Sequence, residues 1–378
     1  MNANRGARVI KCYMKYSDVL ASSVGEFASV IVMTVQRLKL GFLSFVPNDY
    51  GPLGAGRALR EGVELFQFAE ELGYQSGWVR VRHFEPYLSS PMTFLSAVGQ
   101  RTHSIALGTG VIPARYEDPI RLAEDAATVD LLIGGRLELG LSTGIGGLAS
   151  ILDPVFGESD RSLSEESQYR IERLRRALEG YPVAHSGQGF MSVPPETDLH
   201  VTPENPDLAE RLWYGAGSLG SSIRSGEQGF DLHVSTLITE GGEDVLEVRQ
   251  TEHVRAYREA FAASEAGNRR RGRVAVGRIV LPTANQEDSD AHAGYIKSYK
   301  ERMRPDGRPH DPSLNMRFSR LHTGSSDAIV DSLAADTTIA EADTLIITLP
   351  APGGIEAHRR VLRTVAEEIA PELGWNPR

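Results

Sequence analysis

Residues 105–142 read IALGTGVIPARYEDPIRLAEDAATVDLLIGGRLELGLS, and the fold is decided there. Ile105 to Ile112 is an apolar, strand-like run, and Pro119 to Leu132 has helical periodicity ended by Gly134-Gly135. Leu137 to Ser142 is apolar and strand-like again. A strand, a helical crossover and a second strand make a parallel pair, since a tight hairpin joins only antiparallel ones.

The same unit recurs on both sides. Upstream, Leu38 to Phe45 precedes a helix over Ala58 to Leu72 that stops at Gly73, and Gly77 to Val81 precedes one over Pro91 to Gln100. Downstream, the charged helix Glu165 to Glu179 follows strand four, and Arg211 to Tyr214 leads through a Gly/Ser turn to Ser221 to Gln228. Phe230 to Ser235 pairs with Val245 to Ala263, Val274 to Leu281 with Ser326 to Ala335, and Thr344 to Leu349 with Ile355 to Leu373. Eight strand–helix units with short apolar strands predict an α/β fold closed as a (β/α)8 TIM barrel. An open doubly wound sheet is the structural alternative.

Two stretches interrupt this rhythm, giving a barrel with insertions after strands 4 and 7. Tyr181 to Pro203 reads as a hairpin excursion between helix four and strand five. Asn285 to Asn315 contains a helix over Ala291 to Arg302 and a polar Pro/Gly segment, and its length suits a lid. Residues 1–36 are expected to be a disordered or peripheral extension, with the barrel over 37–378. The 378 residues are 41% hydrophobic and 24% charged, with a net charge of −10. That balance disfavours nucleic acid and anionic membranes as partners. The single cysteine, Cys12, excludes an internal disulfide or a cysteine metal cluster, and fits a cytoplasmic protein.

Chemistry is expected at the C-terminal ends of the strands. Tyr214 to Ser222 (YGAGSLGSS) joins a strand end to a helix start, where free N–H groups and missing side chains can receive an anion. The plainer reading is a Gly/Ser turn with a serine N-cap. There is no Walker lysine and no clean G-x-G-x-x-G, so a nucleoside-triphosphate enzyme is disfavoured. Arg82 and His83 end strand two and could hold an anion or move a proton; a surface ion pair is the plainer alternative. Gly108 and Gly110, bracketing Thr109, suggest a flat ligand against strand three, or else a bulge. Ser142 and Thr143 leave strand four's rim small and polar. Neither the His/Asp pattern of metal hydrolases nor the paired carboxylates of glycosidases stands out, and no metal is expected.

Together, Gly77-Trp78-Val79 through His83-Phe84, Ser90-Pro91, Arg101-Thr102, Leu107 to Val111, Asp118 to Asp125, Gly134 to Gly140, Gly215-Ala216-Gly217-Ser218 and Ala370 to Trp375 resemble the luciferase-like flavin monooxygenases. The resemblance covers roughly residues 37–375. It implies an FMN-using barrel, commonly a homodimer built through helices two and three. A separate flavin reductase feeds it FMNH2, and O2 is used to oxidise a small organic substrate. It also implies a cis peptide at Gly110-Val111, with the flavin ring beside Thr109, Gly110 and Val111. The phosphate would rest on Gly215, Ala216, Gly217 and Ser218, helped by Ser142 or Thr143 and by Tyr169 or Arg170 of helix four. Arg82 stands where many members have the first His of Glu-His-His-Phe, and arginine cannot accept a proton at ordinary pH. The alternatives are an F420-dependent hydride-transfer oxidoreductase and a flavin-binding protein without catalysis.

Overall fold

The eight apolar runs become strands because both of their faces are buried, one toward helices and the other toward the barrel axis. A computed structural model describes residues 38–47, 54–144, 146–351 and 353–377; residues 1–36, and the expectation made for them, lie outside that set. The strands are β1 (Lys39–Ser44), β2 (Ser76–Val79), β3 (Ala106–Thr109), β4 (Leu137–Ser142), β5 (Leu212–Ala216), β6 (Asp231–Val234), β7 (Val274–Pro282) and β8 (Thr344–Thr348). They pair in parallel in chain order, and β8 closes the circle on β1. The helices between them are α1 (Ala55–Glu71), α2 (Pro91–Gly99), α3 (Pro119–Leu132), α4 (Leu163–Leu178), α5 (Leu219–Glu227), α6 (Leu246–Ala263), α7 (Ser326–Ala334) and α8 (Gly354–Thr364). The parallel barrel is therefore closed, and the open sheet is excluded.

Local chemistry fixes the helix starts. The Asp118 side chain accepts the Ile120 and Arg121 amides at 2.9 Å each, with Pro119 at the first turn of α3. Ser162 and Glu165 form a reciprocal capping box on α4. The large core lies between sheet and helices, while Leu43, Trp78, Trp213, Ala275 and Ile346 fill the barrel itself. Trp78 and Trp213 meet edge to face there, with centroids 5.3 Å apart. Below them Arg273 bonds both Glu138 oxygens at 2.7 and 2.8 Å and Asp231 at 2.8 Å, and stacks 4.7 Å from the Trp213 ring. Charge pairs and indoles thus fill the strand N-terminal end, leaving the C-terminal mouth for a ligand.

The insertions refine the sequence reading. After β4, Ala149–Phe156 is a short helix that the sequence reading did not anticipate. Buried Arg115 fixes it, donating to the Gly157 carbonyl at 2.9 Å and lying 3.5 Å from Asp153. After β7 the helix runs Gln286–Arg302 and starts before Ala291, because Asn285 accepts the Asp288 amide and caps it earlier. Beyond it, Arg317–Phe318 pairs antiparallel with Leu237–Ile238, which joins the β7 insertion to the loop after β6. The Tyr181 to Pro203 hairpin forms, with Ala184–His185 against Asp198–Leu199. It follows α4, so parallel topology puts it at the strand N-terminal end, away from the mouth.

Candidate active site

Period-two alternation on β2 puts Ser76 and Trp78 on one face, and Arg80 follows just beyond the strand's C-terminal end. The Trp78 Nε1–H donates to Ser76 Oγ at 3.0 Å, which fixes the ring as a floor. Arg80 donates to the Gly110 carbonyl at 3.3 Å, and among the described residues no carboxylate lies within ion-pair distance of it. His233 of β6 lies 5.5 Å from the Trp78 ring and is buried. Burial, and secondly the Arg80 charge, hold its pKa down at about 4, so the imidazole is neutral. Burial and neighbouring Arg82 likewise lower Arg80 to about 10, still charged at neutrality.

The peptide Gly110-Val111 is cis, as the resemblance implied. The glycines around it are explained differently from the sequence reading. A Cβ on Gly108 would fall 2.2 Å from the Trp78 ring, so that glycine makes room for the indole and not for a ligand. At Gly110 a Cβ would come within 2.7 Å of Leu43 Cδ1 and 3.1 Å of His233 Cε1. The Thr109 hydroxyl is committed to the next strand: it donates to the Gly140 carbonyl and accepts the Gly140 amide, both at 2.8 Å. Val111 packs against Gly215, whose Cβ would come within about 3.0 Å of it, so Gly215 also serves internal packing.

At the β4 rim, Ser142 Oγ accepts the Gly144 amide at 3.2 Å. The Thr143 and Tyr214 hydroxyls share a hydrogen bond of 2.7 Å, and Gln168 donates to Tyr214 at 3.4 Å. Tyr169 faces outward instead: it is exposed, with Arg161 4.2 Å and Arg173 5.8 Å from its ring. Its neighbour Arg170 is committed to Glu166 at 2.7 Å and to the Glu117 carbonyl at 2.8 Å. The helical phase carried this signal, since Ser167, Ile171, Leu174 and Leu178 face inward and leave 169 and 173 outside.

Ala216, Gly217 and Ser218 form the turn into α5. Ser218 and Ser221 cap each other: Ser218 Oγ accepts the Ser221 amide at 3.2 Å, and Ser221 Oγ accepts the Ser218 amide at 3.0 Å. The Gly217 carbonyl accepts both the amide and the hydroxyl of Thr239. The adjacent Leu219 amide donates to Glu240 Oε1 at 2.9 Å. Glu240 escaped sequence reasoning, because it enters from the loop after β6 and carries no local motif.

Arg82 and His83 separate in role. The Arg82 guanidinium is 3.5 Å from Glu85. His83 lies under Phe156 at 4.7 Å, and Phe156 is 5.8 Å from both Phe84 and Tyr116. Burial lowers the His83 pKa. Nε2 of His83 and Nδ1 of His233 are buried without a hydrogen-bond partner among the described residues. The Trp78 indole, the Arg80 guanidinium and the partnerless His233 nitrogen gather around Gly110 and fit a flat heteroaromatic group with polar edges, while His83 belongs to the separate cluster with Phe84 and Phe156.

The family profile described as "Luciferase-like monooxygenase" matches residues 38–349. This chain belongs to the luciferase-like monooxygenase family. It is 37% identical over 110 residues to 4-hydroxyprotoasukamycin monooxygenase of Streptomyces nodosus subsp. asukaensis, a stretch covering 28% of this chain and 29% of that one. Among solved structures, the FMN complex of the oxygenating constituent of 3,6-diketocamphane monooxygenase of Pseudomonas putida aligns with TM-score 0.64 at 17% identity, covering 88% of this chain and 98% of that one. A coenzyme F420-dependent tetrahydromethanopterin reductase from Methanopyrus kandleri aligns with TM-score 0.62 at 18% identity, covering 89% and 99%. At such identities the two structures establish the fold. As a member of this family the chain is an enzyme. Among its described residues no helix is long and apolar enough to cross a membrane.

Proposed function

We propose that this luciferase-like enzyme is an FMNH2- and O2-dependent monooxygenase acting on a small organic substrate. The observation that carries the reading is the cluster of the Trp78 indole, Arg80 without a carboxylate partner among the described residues, and the orphaned Nδ1 of His233. Trp78 would lie beneath the flavin ring, Arg80 and His233 would meet its polar edge, and the Gly217-Ser218 turn would take its phosphate. Reduced FMN, when bound, supplies the electrons that activate oxygen. The neutral His83 imidazole, in its aromatic enclosure of Phe84, Tyr116 and Phe156, is the group able to hold or pass a proton on the substrate side. The protein works in the cytoplasm as a homodimer fed by a separate reductase. Exposed Leu131 and Leu132 at the end of α3 suit such a dimer face, and monomeric scattering would contradict it.

The test supplies FMN, a flavin reductase, NADH and oxygen to the full chain and follows oxygen incorporation across a substrate panel. Oxygenated product that vanishes without FMN or O2 supports the reading. A second reading, F420-dependent hydride transfer, has its support in a likeness to F420-dependent glucose-6-phosphate dehydrogenase 2 of Rhodococcus jostii, 34% identical over 116 residues. Oxygen-independent reduction of F420 by a substrate, with no affinity for FMN, would replace the first reading with the second.

A further inference from the structure

The N-terminus of α5 already carries an anion, supplied by the chain. Glu240 Oε1 accepts the Leu219 amide at 2.9 Å, and Oε2 meets Nε2 of the fully buried His253 at 2.9 Å. Arg249 approaches the same oxygen at 3.8 Å. The residue before it, Thr239, is clamped by two hydrogen bonds to the Gly217 carbonyl. Both oxygens and the preceding backbone are therefore held, and Glu240 is a fixed part of the turn. Burial keeps the His253 pKa below its ordinary value despite the carboxylate, so the imidazole is mainly neutral at neutrality and Arg249, at 3.8 Å, is the charged neighbour of Glu240.

From this arrangement we infer that Glu240 is a cofactor-specificity residue, an internal carboxylate that competes with the cofactor's phosphate for the Leu219 amide. The inference rests on the reading that a flavin phosphate uses the Gly217-Ser218 turn. A carboxylate and a phosphate seek the same thing at a helix N-terminus, an amide donor and the positive end of the dipole. Two anions cannot share one amide without strong repulsion, so phosphate enters only by displacing Glu240 from Leu219. That displacement offsets much of what the phosphate gains, and the enzyme holds FMN little better than riboflavin, which has the same ring and no phosphate. Loose flavin binding is then a property of one side chain.

The experiment titrates FMN and riboflavin into the full-length protein by flavin fluorescence quenching, for the native enzyme and for Glu240→Gln. Glutamine keeps the shape and can still accept the Leu219 amide, but it removes the charge. The native protein should prefer FMN to riboflavin by less than about tenfold, and Glu240→Gln should raise that preference by about tenfold with riboflavin unchanged. A native preference of a hundredfold or more overturns the inference, and this arm needs no variant. So does a variant whose preference is unchanged, or one in which both flavins weaken alike. Failure of the native protein to bind either flavin overturns the proposed function, and the inference with it. Glu240→Ala serves as the second variant should the glutamine form fail to fold.

Discussion

Gly108 and Trp78 are register partners across β3 and β2, and the indole fills the space where a side chain on Gly108 would stand, 2.2 Å from the missing Cβ. The floor of the candidate site exists because residue 108 has no side chain. Gly108→Ala should destabilise the barrel by about 1–3 kcal/mol through overpacking. Denaturant unfolding followed by tryptophan fluorescence checks this, and an unchanged midpoint would show that the indole has somewhere else to go.

Arg80→Met keeps bulk and removes the unpaired charge at the mouth. Loss of a charged hydrogen-bond donor should weaken flavin binding about tenfold or more. The Arg80 charge is also the second cause, after burial, of the depressed His233 pKa of about 4. Removing it should raise that pKa while leaving it below the ordinary histidine value, because burial persists. Imidazole titration by NMR reads the shift; a further fall would contradict the assignment.

The outward face of β7 presents a stability test away from the site. Arg278 and Asp336 are both buried and paired at 2.6 Å. Asp336→Asn should cost about 3–5 kcal/mol, chiefly by leaving Arg278 uncompensated. In the folded protein the Asp336 pKa lies below its ordinary value, with burial opposed by Arg278 and the Thr338 amide. Its ionised form therefore stabilises the fold above the unfolded pKa, and that contribution is lost as pH falls through the folded value. Urea unfolding at neutral and acid pH should show the gap between native and variant closing in acid.

Glu117 behaves in the opposite sense. Burial, then repulsion from Asp125, raises its pKa to about 7. For a raised carboxyl, the favourable neutral form is lost as pH rises through the folded pKa, so native stability suffers most on the alkaline side. Glu117→Gln should raise the melting temperature at pH 8 and leave it almost unchanged at pH 4. Equal gains at both pH values would show that the effect is not one of ionisation.

Much of this was legible in one dimension. Apolar runs alternating with helical periodicity gave the eight units, and the barrel needed nothing more, because strand burial and parallel crossover are local patterns repeated. The Gly-rich turn at 215–218 and the strand-two rim were legible for the same reason: turn chemistry and strand ends are written in neighbouring residues. The outward phase of Tyr169 was also available, from the spacing of Ile171, Leu174 and Leu178, where the sequence reading left Tyr169 and Arg170 both open.

Other features depend on contacts between distant segments. Gly108 and Gly110 read as space for a ligand, but whether a gap is filled by a substrate or by Trp78 depends on the register of two strands. The Thr109 hydroxyl turns to Gly140 only because β3 and β4 are adjacent. Glu240 meets Leu219 across two consecutive units, and nothing in either segment marks the pair. The sequence by itself determined a luciferase-like barrel with its chemistry at the strand ends. The tertiary structure decided which polar groups remain unpaired at the mouth and which anion occupies the head of α5, since pairing is a property of distances between residues far apart in the chain.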